Sequence, residues 1–295
     1  MFLDSIRIKA PAKLNLTLNI EGKRSDGYHY MQMVMQAVNL YDQIKISVNS
    51  DNKVNVYAEG DEIPAGNDNT AYRAAKKFFE TVDTDVCGCD IVIEKNIPSQ
   101  AGLGGASSDA AGVLVGLNEL CGTALTTEQL CEIGVQIGAD VPFCIIGSTA
   151  FTEGIGEIIT PLTPLCECFF VVVKPDFGMS TKDAFCLYDE LEASDTVIAR
   201  PDNDSMVAAI VAGDLENIGA SVGNVFEEVV FPEKTAEIKN MLIENGALGA
   251  AMTGSGTAVF GIFESKSDAK SAARELENMG DVFVLRPINC GAEEY

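Results

Sequence analysis

The chain has 295 residues, of which 47% are hydrophobic and 22% charged, with 44 acidic side chains against 20 basic ones. These proportions predict a packed globular protein rather than a disordered one, long enough for one large domain or two ordinary ones. The formal net charge of −24 argues against a nucleic-acid partner, whose phosphates require a basic face, and against docking on anionic membranes.

From the N-terminus, "SIRIKA" and "LNLTLNI" alternate apolar and polar residues as strands do, with Leu14, Leu16, Leu18 and Ile20 expected on one face. The same stretch and its continuation hold Arg7, Lys9, Lys13, Lys23 and Arg24, the makings of a small basic pocket inside an acidic protein. "DQIKISV" and "KVNVYAE" repeat the strand pattern. Asn69 is placed to cap a helix that begins near Thr70 and carries Ala71, Ala74, Ala75 and Phe78. "CDIVIEKN" predicts another strand, and "SSDAAGVLVGLNELCG" a helix that closes on Gly122. Thr126 and Gln129 form a capping-box pattern ahead of "TEQLCEIGVQIG", which stops at Gly138. "STAFTEG" and "GEIITPL" predict a strand pair.

The organisation changes around "PLTPL", Pro161 to Leu165. "CFFVVVKP" has the continuous apolar run of a buried strand. A helical region follows from about Thr181 to Asn245, then "GAAMTGSG" and "TAVFGIFE" as a hairpin, a helix from Asp268 capped by Ser267, and "DVFVLRPI" as a closing strand. That order is the split β-α-β, ferredoxin-like arrangement. The fold class is therefore α+β, in two closely joined halves with a cleft between them.

Nine cysteines, including the C-x-C pairs Cys87/Cys89 and Cys166/Cys168, and a single histidine, His29, give no zinc-ligand spacing. Reduced, mostly buried thiols are expected. No apolar run approaches the ~20 residues that span a bilayer, and there is no secretory h-region at the N-terminus, so a cytoplasmic location is expected.

The stretch "IPSQAGLGGASSDAAG", Ile97 to Gly112, lies between a predicted strand and a predicted helix. Glycines there let a ligand approach the backbone, successive N–H groups converge on an anion, and the helix start adds unpaired donors and partial positive charge. Ser107 and Ser108 fall at the expected capping positions, with hydroxyls open to phosphate or metal. The pattern is neither G-x-G-x-x-G nor G-x-x-x-x-G-K-[ST]. From the loop alone, a phosphate cradle and a surface loop before a capped helix both remain open.

Three further stretches narrow the choice: "APAKLNLTLNI" at 10–20, "RSDGYHYMQ" at 24–32 and "GADVPF" at 138–143. With the glycine-rich loop and "TGSGTAVF", Thr253 to Phe260, they resemble the GHMP family of small-molecule kinases over nearly the whole chain. The resemblance implies a two-domain GHMP kinase fold, with a mixed-sheet N-terminal domain over residues 1–162 and a ferredoxin-like C-terminal domain over 163–295. It implies transfer of a phosphoryl group from ATP, with Mg²⁺, to a small alcohol. Within the family, "DGYH" together with "PAKLNL" and "GADVP" implies that the acceptor is a cytidine diphospho-methylerythritol.

On that resemblance the catalytic pair is Lys13 and Asp140. Asp140 orients the attacking hydroxyl and accepts its proton late, since an ordinary aspartate is a weak base for an alcohol. Lys13 keeps Asp140 ionised and offsets charge on the transferring group. The ATP cradle is Pro98, Ser99, Gln100, Ala101, Gly102, Leu103, Gly104, Gly105, Ala106, Ser107 and Ser108, with Asn69 and Lys95 near the base or ribose. Gln100 is bulkier than the small residues the loop usually has at that place. Tyr28 and Phe185 are expected to stack on the cytosine, His29 to hydrogen-bond its edge, and Asn15 to bind the erythritol hydroxyls. The "TGSG" loop is expected to close over the site from the second half. No dedicated Mg²⁺ cage is visible, as expected for an ion that keeps waters and uses phosphate oxygens; Ser108 is the candidate ligand. Two other readings stay open: a GHMP kinase for homoserine or mevalonate, with no cytidine pocket, and a non-catalytic nucleotide or sugar-phosphate sensor, which has no use for both Lys13 and Asp140.

Overall fold

A computed structural model of the chain describes residues 4–59, 64, 66–84, 86, 88–194 and 196–295. The first half is built on two long antiparallel strands, β1 (Ser5–Lys23) and β2 (His29–Val48). β1 fuses two stretches that read as separate strands in the sequence, and β2 begins well ahead of the strand read at Asp42–Val48. Register shifts between Pro11 and Ala12, and between Asn15 and Thr17, let the ladder run through the proline and through a change of partner. The second shift also divides the apolar set expected on one face: Leu14 and Leu16 enter one core, Leu18 and Ile20 another.

β3 (Val54–Glu59), α1 (Thr70–Thr81), β4 (Cys89–Glu94), α2 (Gly105–Cys121), α3 (Thr127–Gly134) and α4 (Val141–Ile146) follow, then the hairpin β5 (Thr149–Glu153) and β6 (Ile158–Pro161). Asn69 caps α1 by accepting the Tyr72 N–H, and the Thr126–Gln129 capping box starts α3 with both of its bonds formed. α3 ends at Gly134, and looser turns carry the chain to Gly138. The helices α1–α4 bury one face of the sheet against Ile8, Ile44, Ile46, Ile91 and Ile93.

The second half contains β7 (Phe169–Lys174), α5 (Thr181–Glu192), α6 (Asn203–Ala212), α7 (Leu215–Ser221), the short β8 (Gly223–Asn224), α8 (Pro232–Glu244), β9 (Gly249–Met252), β10 (Val259–Phe263), α9 (Lys266–Glu275) and β11 (Asp281–Leu285). Its sheet runs β11-β7-β10-β9, all antiparallel, the ferredoxin-like order the element sequence predicts. Ser265, not Ser267, caps α9 by accepting the Asp268 N–H. The chain does not stop at β11: β12 (Glu293–Glu294) crosses back to pair with β1, and β8 lies parallel beside β1.

The halves share cores. Leu18, Ile20, Met31 and Met33 of the first sheet pack with Val171, Tyr188, Phe226 and Phe263. β1 is thereby buried on both faces, and Lys13, Asn15, Thr17 and Asn19, polar residues of an alternating strand, become interior groups. Each must find a partner or line a cavity.

Candidate active site

The cavity where the halves meet has a volume of about 880 Å³ and is lined from β1, the 98–107 loop, the start of α4, α5 and the "TGSG" loop. Its floor is Lys13, 4% exposed, whose Nζ donates to Asn15 Oδ1 at 2.6 Å and lies 3.5 Å from Asp140 Oδ2. Asp140 is the residue before α4, with Pro142 in the first helical turn. Asn15 donates in turn to the Met33 sulfur at 3.2 Å, so its amide is engaged by protein on both sides. It still lines the cavity.

The glycine-rich loop crosses this floor as a run of turns, tied by backbone hydrogen bonds on both edges. Leu103 carbonyl accepts the Lys13 N–H at 3.0 Å; on the other edge Thr257 and Ala258 N–H groups donate to Gln100 and Ala101 carbonyls at 3.3 and 3.2 Å. Thr253 joins all three segments, accepting the Asn15 N–H at 2.9 Å and donating to Gly102 carbonyl at 3.3 Å. The "TGSG" loop is thus docked on the phosphate loop. Gly104, at φ +76°, is the N-cap of α2 and packs on the aliphatic stem of Lys13; a Cβ there would fall 2.9 Å from Lys13 Cγ. The bulkier Gln100 is accommodated at φ +52° with its side chain against Gly178.

α2 starts at Gly105, earlier than the serines suggest, without a side-chain cap. Its first N–H groups are left for a ligand. Ser107 lines the cavity. Ser108 does not fill its expected role: it is fully buried and its hydroxyl donates to Pro11 carbonyl at 2.7 Å, fastening α2 to β1.

Behind the loop lies a buried charge cluster that sequence reading missed. Asp42 is fully buried; one carboxylate oxygen accepts the Asn96 and Ile97 N–H groups at 2.7 and 2.8 Å, and the other accepts Lys95 Nζ. Lys95 also donates to Asp109 Oδ2 at 2.7 Å, while Asp109 Oδ1 has no partner among the described residues. Two carboxylates share one ammonium. Burial pushes the Asp109 carboxyl up, to about 8, against the pull of the Lys95 ammonium. For Lys95 burial pulls downward, but the two carboxylates outweigh it and raise its pKa. Lys95 lines the cavity, as does Asn69, whose amide is occupied by the α1 cap and Pro64 carbonyl. The only textual signal for the cluster was an acid set in an apolar strand, "YDQIKISV", and another directly after the loop serines.

At the far end Phe185 lines the cavity with Met31, Met33 and Phe226. His29 is 6% exposed and lies just behind the lining, stacked on Phe185 with centroids 4.8 Å apart and planes 21° off parallel. Tyr28, expected to stack opposite Phe185, is instead 61% exposed and outside the cavity lining, held in the 24–28 turn by Arg24 N–H to Tyr28 carbonyl at 2.7 Å. His29 takes the face of Phe185 because α5 grips it: Tyr188 meets its ring edge-on and Asp189 Oδ1 accepts from Nε2 at 2.7 Å. Thr181 and Ser255, linked at 3.0 Å, are further polar groups of the lining.

Eight cysteines among the described residues are free thiols, and Cys87 lies outside those residues. Burial pushes the Cys89 thiol up to about 12 and raises Cys144 further, which makes them inert packing groups. Among the described residues no cluster of three or more His, Cys, Asp or Glu is placed to hold a metal ion.

Family models match both halves: "GHMP kinases N terminal domain" over residues 69–148 and "GHMP kinases C terminal" over 206–282. The 4-diphosphocytidyl-2-C-methyl-D-erythritol kinase of Clostridium tetani is 42% identical, the alignment covering 96% of this chain and 100% of the relative. The chain belongs to the GHMP kinase family. The enzyme of the same name from Alkaliphilus oremlandii is 44% identical over 99% of both chains. A crystal structure of 4-(cytidine 5'-diphospho)-2C-methyl-D-erythritol kinase superposes with a TM-score of 0.78 at 31% identity, covering 95% of this chain and 98% of that one. Homoserine kinase from Cytophaga hutchinsonii, at 19% identity and a TM-score of 0.76, shows only that the GHMP fold is shared across acceptors.

Proposed function

We propose that this GHMP kinase transfers the terminal phosphoryl group of ATP to the 2-hydroxyl of 4-diphosphocytidyl-2-C-methyl-D-erythritol, a step in the non-mevalonate route to isoprenoid precursors. The observation that carries the reading is one cavity holding the Lys13–Asp140 pair at 3.5 Å and the open N-terminus of α2. The triphosphate lies on residues 98–107, where backbone N–H groups and the helix start supply the positive field that the acidic surface lacks. Asp140 orients the acceptor hydroxyl and takes its proton as the phosphoryl group leaves; the buried Lys13 ammonium faces the charge that spreads over the transferring oxygens. Asn15 fixes Lys13 by their 2.6 Å bond.

The site suits Mg²⁺, because the Ser107 hydroxyl lining the cavity is a hard oxygen donor, and phosphate oxygens and waters would complete the shell of an ion bound there. When bound, the ion neutralises charge on the phosphates. Ser107 therefore takes the place Ser108 was expected to hold. A reaction that consumes ATP suits a cytoplasmic protein, and among the described residues no helix is long and apolar enough to cross a membrane.

A coupled assay of ADP release with that acceptor and Mg²⁺ tests the proposal, and well-folded protein without turnover would sink it. Competition by CMP or CDP separates this acceptor from homoserine or mevalonate, since only a cytidine pocket makes those nucleotides inhibitors.

A further inference from the structure

His29 is the only histidine of the chain, and three side chains from one face of α5 fix it. Phe185 covers its ring, Tyr188 meets its edge at 90°, and Asp189 Oδ1 lies 2.7 Å from Nε2. The spacing 185, 188, 189 is that of helical neighbours. Asp189 is anchored on its other oxygen by Lys23, which like His29 comes from the first half. Burial works to raise the Asp189 carboxyl, but the bonds from Lys23 and His29 outweigh it and hold the carboxyl below its usual range. An ionised carboxylate can only accept, so the proton of a neutral His29 ring resides on Nε2. Nδ1, which has no hydrogen-bond partner among the described residues, is left with a lone pair.

We infer that Asp189 is a positioning residue that fixes the Nε2–H tautomer of His29, so that Nδ1 accepts from the exocyclic amino group of cytosine and rejects the carbonyl that uracil carries at the same place. The inference rests on the proposed cytidine pocket and adds to it the residue that sets base choice. Asp189→Asn is the informative change. It keeps the size of the side chain but can donate to Nε2, which moves the ring proton to Nδ1 and turns an acceptor into a donor.

Two measurements on the full chain test this. The first is the two-bond ¹H–¹⁵N spectrum of the single histidine at about pH 8.5, above the ordinary histidine range. Wild type is expected to show the proton on Nε2, and Asp189→Asn to lose that pattern. The second is the ratio of CMP to UMP affinity by calorimetry. Asp189→Asn is expected to lower it by roughly tenfold, the worth of one hydrogen bond lost against one gained, with the KM for the cytidine acceptor raised more than kcat is reduced and the KM for ATP unchanged. Asp189→Glu, which keeps the carboxylate, is expected to retain the wild-type tautomer. A wild-type ring carrying a proton on Nδ1, alone or with Nε2, overturns the inference, as does an unchanged CMP preference in a folded Asp189→Asn protein. If Asp189→Asn fails to fold, the wild-type spectrum and Asp189→Glu decide. Neither measurement needs turnover, so a kinase assay that fails while the tautomer and base preference hold rejects the proposed reaction and leaves the Asp189 assignment intact.

Discussion

Asp109→Asn offers the sharpest test of the charge cluster behind the phosphate loop. Asp42, Lys95 and Asp109 together carry one more acid than base, and all are buried. Asp109, with an oxygen that no described residue donates to, keeps its proton up to about pH 8, whereas in the unfolded chain it loses it near ~3.9. Between those values the folded state holds a proton that the unfolded state has released. The contribution is therefore complete below the unfolded pKa and is lost as pH rises towards 8, so stability falls with pH over this window.

One proton gives a slope of at most ~1.4 kcal/mol per pH unit, and hence a ceiling of ~4 kcal/mol between pH 5 and 8. Water penetration and local relaxation bring that to about 2 kcal/mol, a large share of a typical stability. Asparagine keeps the shape and an acceptor for Lys95 but does not titrate. Urea midpoints of the unligated protein, followed by circular dichroism at fixed ionic strength between pH 5 and 8, should show Asp109→Asn gaining on wild type as pH rises. Parallel curves, or wild type gaining on the variant, would refute a protonated Asp109.

Other outcomes follow from the same geometry. Lys95→Met leaves the buried Asp42 carboxylate without its cation and should cost about 3–5 kcal/mol in the same denaturation experiment, while Lys95→Arg should recover much of it. Asp140→Asn should reduce turnover by orders of magnitude with ATP affinity by calorimetry nearly unchanged, because the cradle at 98–107 does not depend on that carboxylate. Gly104→Ala puts a methyl group against the Lys13 stem at a left-handed backbone position; kcat should fall at least ~10-fold, as expected for a misplaced charge, with a stability loss near ~1 kcal/mol.

The parts of this molecule legible in the sequence are those whose cause is local. The Asn69 and Thr126 caps depend on residues three apart and formed as read. The ferredoxin-like order of the second half follows from the succession of apolar runs, and Lys13, Asp140 and the loop follow from short motifs. What the sequence hid depends on partners far along the chain. Two strands could not be seen as one through Pro11, because the register shift that carries β1 past it is set by β2. Ser108 read as a cap, yet its carbonyl partner lies 97 positions away. Asp42 drew no reading of its own at the head of a predicted strand, yet it is buried, with Asn96 and Ile97, more than 50 positions on, turning their N–H groups towards it. His29 read as a free ligand for a base edge, but Asp189, 160 positions distant, takes one of its nitrogens. In each case a polar residue was recognised as significant, or passed over, without knowledge of what satisfies it inside the fold. A buried polar group is expensive unless partnered, so the pattern of satisfaction carries the functional information. One lysine holds two acids, one acid holds a histidine and a lysine, and the nitrogen and oxygen left over, Nδ1 of His29 and Oδ1 of Asp109, are the atoms whose chemistry the experiments above address.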